Sequence, residues 1–384
     1  MKKDSDPSDL LELLEGLPDP RLDRTKKHRL VDILTIAICG ALCGVDNFVE
    51  LERFGLSKQR WFETFLDLPN GIPSHDTFGR VFAALDPDAF RAVFVCWVMS
   101  WGEEIAGRQI AVDGKTLRCS LDRAHEKAAI HMVNAFATES GIALGQVAID
   151  GKSNEITAVP PLLEMLRIKG CLVTFDAMHC QKKTTEAVVA GGGEYLVALK
   201  ANQGNTYTDV VEYFDPVRQA ELAQEEGAHV VTTDGDHGRV EVREHWYTND
   251  VAWLLERQDW PGLKGLGMVR RMRTVKSGET SVEVHYYLSG MTQGKAERFA
   301  QGIRNHWAVE NKLHWILDVA FDEDRCRARM GHAAENFAII RQAALNLIKQ
   351  EKTVKVGMKT KRKMCGWDHN YMMLVLSGNP ARPA

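Results

Sequence analysis

The sequence predicts an α/β protein whose mixed central sheet carries helices on its faces, preceded by an all-helical N-terminal region. Three observations predict it. Apolar residues recur at helical spacing up to about residue 100 and at strand spacing from about residue 108. Three strand-like runs are then followed by alternating helix and strand, the element order of a ribonuclease-H-like fold. That order breaks off between about 204 and 295, where alternating runs read as a β-rich insertion. At 384 residues the chain is long enough for two to three domains, at roughly 150 residues each.

In the N-terminal region, Leu10 to Leu14, Leu30 to Leu42, Phe48 to Phe54, Trp61 to Phe65 and Phe90 to Trp97 show helical spacing. Breaks such as Pro18-Asp19-Pro20 and Pro69-Asn70-Gly71 separate them. Ser74 stands before His75-Asp76-Thr77 and the apolar Phe78, Val81, Phe82 and Leu85, the pattern of a capped helix start. Gln109 to Val112, His131 to Thr138 and Ala143 to Ile149 read as strands of an antiparallel meander. A helix near Pro161 to Lys169, the strand Leu172 to Phe175, a helix near Lys182 to Ala190 and the strand Tyr195 to Leu199 follow. Gly191-Gly192-Gly193 precedes a strand, so it reads as a loop closing a helix rather than as a phosphate cradle. Within the insertion, Val230 to Thr233 and Val240 to Tyr247 flank Asp234-Gly235-Asp236-His237-Gly238, a hairpin signal, and Val282 to Leu288 alternates like a strand. Gly294 to Val319 resumes a helical period.

Composition narrows the function classes. Ile33 to Val45, the most apolar stretch, is bounded by Asp32 and Asp46 and is shorter than the roughly 20 residues of a membrane span. Met1-Lys2-Lys3-Asp4-Ser5-Asp6 lacks the apolar core of a secretory signal. The eight cysteines contain no CxxC pair, which points to reduced thiols in a cytoplasm rather than disulfides or a zinc knuckle. A net charge of −4 gives no sign of a nucleic-acid partner, but the sum hides segregation. Lys352, Lys355, Lys359, Lys361, Arg362 and Lys363 form a basic tail, readable as a solvated terminus or as a phosphate-binding arm.

Three acids carry the chemistry. Asp113 closes the apolar run Ile110-Ala111-Val112, Asp176 closes Leu172-Val173-Thr174-Phe175, and Glu310 lies in a helical stretch rich in Trp and His. Taken singly, Asp113 before Gly114 also reads as a turn start and Asp176 as a helix cap. Taken together, carboxylates at the ends of neighbouring strands converge on one crevice. Their oxygens suit Mg²⁺ or Mn²⁺, and a pair of such ions drives in-line displacement at phosphorus. The set therefore points to an enzyme that cuts or joins nucleic-acid backbones. His306 and His314 flank Glu310 at i−4 and i+4. A zinc reading of that stripe fits poorly, because HExxH sets the acid beside the first His. Asp150-Gly151-Lys152 echoes Asp113-Gly114-Lys115 and reads as a turn after the third strand. Lys115, Lys200 and Asn202 follow strand ends and either face the same rim, where they would contact phosphate, or are simply solvated.

These segments resemble the DDE transposases of bacterial insertion sequences, in the ISAs-type branch that includes H-repeat-associated proteins. The resemblance rests on Ile72-Pro73-Ser74-His75-Asp76-Thr77-Phe78, on Ile110 to Thr116, on Lys152-Ser153-Asn154-Glu155-Ile156, on Thr174 to Gln181, on Leu199 to Gln203, and on Arg304 to Trp315 continuing through Leu317-Asp318-Val319 to Phe321, Glu323 and Asp324. It implies Asp113, Asp176 and Glu310 as catalytic metal ligands for Mg²⁺ or Mn²⁺. It also implies a helical transposase-associated domain over 1–100, a catalytic domain over 105–350 with the β-rich insertion at about 204–295, and a basic tail over 351–384. The implied partner is double-stranded DNA, both transposon ends and target, bound by a homodimer or higher oligomer in the bacterial cytoplasm, at the nucleoid and away from membranes. Residues expected to touch DNA are Lys115, Lys200, Asn202, Arg304, His306, Trp307, Lys361, Arg362 and Lys363. A catalytically inactive copy retained as a DNA-binding protein is the alternative. Hairpin-forming transposases carry Tyr and Arg seven and four residues before the Glu and Lys seven after it. Here Ile303, His306 and Leu317 stand instead, which leaves the strand-release intermediate open.

Overall fold

A computed structural model describes residues 10–101, 108–121, 128–149, 157–236 and 239–377. The expected turn at Asp150-Gly151-Lys152, the segment Lys152 to Ile156, the hairpin tip His237-Gly238 and the last residues of the tail lie outside them. The N-terminal region forms α1 (Leu10–Glu15), α2 (Leu30–Cys43), α3 (Phe48–Phe62), α4 (His75–Ala84) and α5 (Pro87–Ser100). Their starts follow local chemistry: Asn47, Ser74 and Asp86 accept backbone N–H groups of the first turns of α3, α4 and α5. Pro87 at the head of α5 costs nothing, since its missing N–H would have no partner there. α2 is buried along nearly its whole length, so its apolar run forms a core helix. No single described helix is long and apolar enough to cross a membrane.

One nine-stranded sheet follows: β1 (Gln109–Leu117), β2 (Ile130–Ala137), β3 (Ile142–Ile149), β4 (Leu172–Phe175), β5 (Glu194–Leu199), β6 (His229–Asp236), β7 (Arg239–Thr248), β8 (Gly265–Val275) and β9 (Thr280–Ser289), in the order β3-β2-β1-β4-β5-β9-β8-β7-β6. β1, β2 and β3 are the expected antiparallel meander. β4 and β5 extend it in parallel, joined through α6 (Val159–Glu164) and α7 (Lys182–Ala190). Gly191 ends α7 and Gly192 follows at φ +74°, so the glycine triplet closes a helix as expected. β9 pairs antiparallel with β5, and β6 to β9 continue the same sheet rather than forming a separate β unit. Before them lie α8 (Gly204–Tyr213) and α9 (Pro216–Leu222). The sheet is therefore mixed, with an all-antiparallel outer half.

Alternation along the strands gives each face its own core. Leu172 and Leu196 join Tyr247, Val269 and Phe299 beneath α10 (Ala296–His306) on one face. Val173 and Val197 belong to the larger core that includes the N-terminal helices. α10 continues through a π-helical turn, Glu310–His314, into α11 (Trp315–Phe321).

α12 (Ala333–Gln350) fills the space between the N-terminal helices and the sheet. It lacks the polar face of a surface helix: Ala333 to Ile348 are buried without a break, Glu335 and Arg341 included. Buried polar side chains fix it near its start and at its middle. Asn336 Nδ2 donates to the carbonyls of Phe82 and Leu85, both at 2.9 Å. Gln342 Nε2 reaches Asn134 Oδ1 at 2.7 Å and Gln146 Oε1 at 2.8 Å.

The basic tail is folded instead of extended. It forms α13 (Met358–Trp367) and α14 (His369–Leu376), which pack on α2.

Candidate active site

β1 and the facing helix are joined by a ladder of polar contacts. Residues 109, 111, 113, 115 and 117 share one face of β1, and the parallel register sets Gln109 beside Leu172 and Ala111 beside Thr174. Gln109 Nε2 donates to the Gly302 carbonyl at 2.6 Å, and Thr174 Oγ1 and His306 Nδ1 share a hydrogen bond of 2.9 Å. Further up, His314 Nδ1 lies 3.6 Å from Asp113 Oδ2 and 3.1 Å from Glu310 Oε2. At the top, Lys115 Nζ donates to Asp318 Oδ1 at 2.5 Å and to Glu323 Oε2 at 2.6 Å. The helix thus faces the sheet through positions 302, 306, 310, 314 and 318. Steps of four overshoot a 3.6-residue turn by about 40° each, so a straight α-helix would carry such a stripe around its axis. The wider π turn at 310–314 rotates less per residue and offsets the drift where Glu310 meets the strand.

Asp113 marks the point where the sheet opens. Parallel pairing of β1 with β4 ends at Val112 and Phe175, while β1 runs on beside β2 to Leu117 and Ile130. The strand expected over Gln109 to Val112 runs on to Leu117: Gly114 is paired with Val133, so the Asp-Gly step, which taken singly also reads as a turn start, is absorbed into the ladder. Asp176, the residue after β4, occupies the equivalent place on the neighbouring strand. It also caps the next turn, its Oδ1 accepting from Met178 N at 3.1 Å and His179 N at 3.4 Å.

Asp113, Glu310 and His314 each offer a ligand atom, all within 4.8 Å of one another. Asp176 and Glu310 have about half their side-chain surface exposed, at 45% and 57%, and no Lys or Arg pairs with either among the described residues. Hard, partly hydrated carboxylate oxygens whose charge no ammonium or guanidinium cancels fit a divalent cation of the Mg²⁺ or Mn²⁺ type. His314 stands one turn from Glu310, as its i+4 spacing predicts, and that spacing alone gives it no task. Its ring is buried, and burial pushes its pKa below the ordinary histidine value, against the hydrogen bond to Glu310. His306 is pushed down to about 4, mainly by burial, with Asp176 acting in the other direction. The His306 ring is therefore neutral near pH 7.

Several residues expected to touch DNA lie elsewhere. Lys115 shares the face of Asp113 but is buried, and both its partners are carboxylates. Burial opposes its charge, yet Glu323 and Asp318 outweigh that and hold it above the usual lysine value. His306 is tied to Thr174 beneath the helix. Lys361 is buried in α13, its ammonium bound by the Ile348 and Glu351 carbonyls and 2.8 Å from the Glu351 carboxylate. Arg362, also buried, donates to the Ala41 carbonyl at 2.7 and 2.9 Å and stacks over Phe321. These four are internal supports, because tertiary acceptors claim their donors. Lys200 and Asn202 are exposed at the carboxyl end of β5, next to β4, and Gln203 ties that loop to the Cys180 carbonyl at 2.7 Å. Trp307 is 60% exposed. Arg304 is exposed and holds Asp234 of β6 in a two-pronged pair at 2.9 and 3.0 Å. Lys363 is exposed on α13.

The chain is similar to known proteins over most of its length. The Transposase DDE domain family matches residues 106–347, and the family described as DDE_Tnp_1-associated matches residues 11–98. "H repeat-associated putative transposase YhhI" of Escherichia coli (strain K12) is 39% identical over 374 residues, which cover 96% of this chain and 98% of the relative. "Putative transposase YncI" of Escherichia coli O157:H7 is 39% identical over 371 residues, covering 96% and 94%. Among solved structures, a piggyBac transposase synaptic complex with hairpin DNA is similar at a TM-score of 0.39 and 11% identity, covering 100% of this chain and 80% of that one, and carries no argument at that distance.

Proposed function

The chain belongs to the DDE transposase family, and from that premise we propose that it binds the terminal inverted repeats of an insertion sequence and cleaves and transfers DNA strands. Asp113, Asp176 and Glu310 would hold the divalent metal, Mg²⁺ or Mn²⁺. The observation that carries the reading is the meeting of Glu310 with Asp113 at the point where β1 leaves β4, the strand that ends in Asp176. A ribonuclease-H-like core is supported by the order β3-β2-β1-β4-β5 with β1, β4 and β5 parallel, and by α10 lying across it. The division into a helical associated part (1–100) and a catalytic part (105–350) is supported by the two family matches. Action as a homodimer or higher oligomer on paired ends belongs to the same proposal.

Bound at the site, a metal pair would activate the attacking oxygen and stabilise the leaving one during displacement at phosphorus. The two aspartates present their oxygens from adjacent strands, so their spacing is set by the sheet. Glu310 comes from the helix, and the buried His314 orients it through their hydrogen bond. Lys115 ties the end of β1 to Asp318 and Glu323, fixing helix against strand. Lys200 and Asn202, exposed beside Asp176, together with Trp307, are the groups available to contact a DNA backbone at the rim; Arg304 would join them on leaving Asp234.

The test is strand nicking by purified protein on duplex DNA carrying the element's ends, with Mg²⁺ or Mn²⁺. Asp113→Asn, Asp176→Asn and Glu310→Gln should keep the fold and the binding of those ends, while nicking falls by a factor of about 100 or more. Variants that nick as well as the parent would exclude the triad. A parent that binds the ends but nicks with neither ion would support the inactive, DNA-binding reading.

A further inference from the structure

Between α11 and α12 runs a strap with the sequence Arg325-Cys326-Arg327-Ala328-Arg329-Met330-Gly331, three of its seven residues arginine. With α3 and α4 it encloses an open groove of about 1120 Å³, whose walls include Val49, Arg80, Arg327, Arg329 and Met330. Arg80, Arg325, Arg327 and Arg329 are all exposed. Among the described residues no carboxylate pairs with Arg80, Arg327 or Arg329. Two acids, Asp46 and Asp76, line the groove against its three arginines, and Asp46 lies 3.8 Å from Arg362, a fourth arginine outside the groove. The groove is therefore net positive on a chain whose net charge is negative.

The strap is held in place. Arg329 Nε donates to the Cys119 carbonyl at 3.1 Å, and His332 N donates to the Ala83 carbonyl at 3.1 Å. Gly331 sits at φ +50°, and a Cβ there would run into Ala83 O, so only glycine lets the strap close on α4. It is also anchored beside the candidate active site. Arg325 stands two residues after Glu323, which Lys115 holds, and Lys115 stands two residues after Asp113 on the same strand face. Three exposed guanidinium groups on one concave surface, those of Arg80, Arg327 and Arg329, have no carboxylate partner among the described residues to cancel their charge. They match a repeating line of phosphates, each of which a guanidinium can meet with two parallel hydrogen bonds.

We propose that this groove binds the phosphodiester backbone of duplex DNA flanking the bond to be cut, with Arg80 of the N-terminal helices and Arg327 of the strap on opposite strands of contact. The proposal rests on the transposase reading above and extends it, giving the N-terminal helices a direct share in holding the substrate. Phosphate contacts set register and orientation without reading sequence, so the groove fixes where the duplex enters the cleft.

The experiment uses the full-length protein and a fluorescent linear duplex of arbitrary sequence, with affinity measured across a KCl series. For the Arg80→Ala, Arg327→Ala double variant, log K against log [KCl] should be shallower by about 0.9 per lost contact, close to two units in all. Arg327→Glu should weaken binding further, and the melting temperature should stay at the parent value because neither Arg80 nor Arg327 has a partner among the described residues. A parent that binds with a steep slope and a double variant with the same slope would overturn the groove and leave the transposase reading standing. A parent that binds no duplex at low salt would overturn both. A double variant that changes self-association in sedimentation while its DNA slope is unaltered would assign this face to contact between copies and overturn the proposal.

Discussion

Lys361 shows how far a side chain's task depends on what surrounds it. In the sequence it is one cation in a basic run; in the fold it is a buried ammonium shared by two carbonyls and the Glu351 carboxylate, which also accepts from Tyr371 at 2.7 Å. Removing one partner of such a pair strands the other in a medium that solvates it poorly. Lys361→Met should therefore lose about 3–5 kcal/mol of stability in chemical denaturation, while the salt dependence of DNA binding stays as in the parent. Burial alone would raise the Glu351 pKa, but Lys361, Thr353 and Tyr371 overcome it and hold the carboxyl down to about 2, against 4.5 in the unfolded chain. A depressed folded-state value means stability present above the unfolded pKa and lost as pH falls through the folded one. The parent should thus lose melting temperature from pH 4.5 towards 2, and Glu351→Gln should lose less over the same window. None of this was legible beforehand. Charge runs carry no record of which carbonyls will face them, and the acceptors of Lys361 and Arg362 come from α12, its C-terminal cap and α2.

At the scale of elements, strands with a clean period were legible and those with competing signals were not. β4 and β5 stand out as short, mainly apolar runs, Leu172 to Phe175 and Tyr195 to Leu199, set between turn residues. β8 escaped because Gly265 and Gly267 open it and Arg270, Arg271 and Arg273 interrupt its alternation. Only the pairing with Glu241, Glu244 and Glu283 on neighbouring strands makes that arginine run tolerable in a sheet. Gly267 has its own reason to be there, since any Cβ would enter the Phe299 ring of α10. Of the candidate site, Asp113 and Glu310, which the fold brings together, were legible from period and position, along with the histidines around Glu310. The π turn was not, because its 3.6-residue neighbours mask it. Deleting Asn311, which is exposed, should convert that turn to regular α-helix and swing Glu310 and His314 out of phase with one another. Helix content by circular dichroism should hold, whereas metal-dependent nicking should fall by about 100-fold, the scale on which a small misplacement of reacting groups acts.

Taken whole, the molecule is bound together by α12, whose side chains reach α2, α4 and α5 on one side and β2 and β3 on the other. The N-terminal helices and the larger face of the sheet share one continuous apolar core, from Leu10 to Val375. Thermal unfolding of the full chain should accordingly be a single cooperative transition. A fragment spanning 108–350 should aggregate or bind a hydrophobic dye, because α12 would then expose the surface that α2, α4 and α5 cover. A clean independent melt of that fragment would show the two parts to be separable. The position of α12 also bears on the order of events at synthesis. Since it begins at residue 333, the five N-terminal helices and the strands holding both aspartates leave the ribosome well before the helix that seals them, and must wait with their apolar faces uncovered. A chain cut short by a frameshift or stop before residue 333 would lack its central brace as well as its terminus, so damaged copies of the gene would yield protein fit for degradation rather than a partial enzyme able to grip DNA.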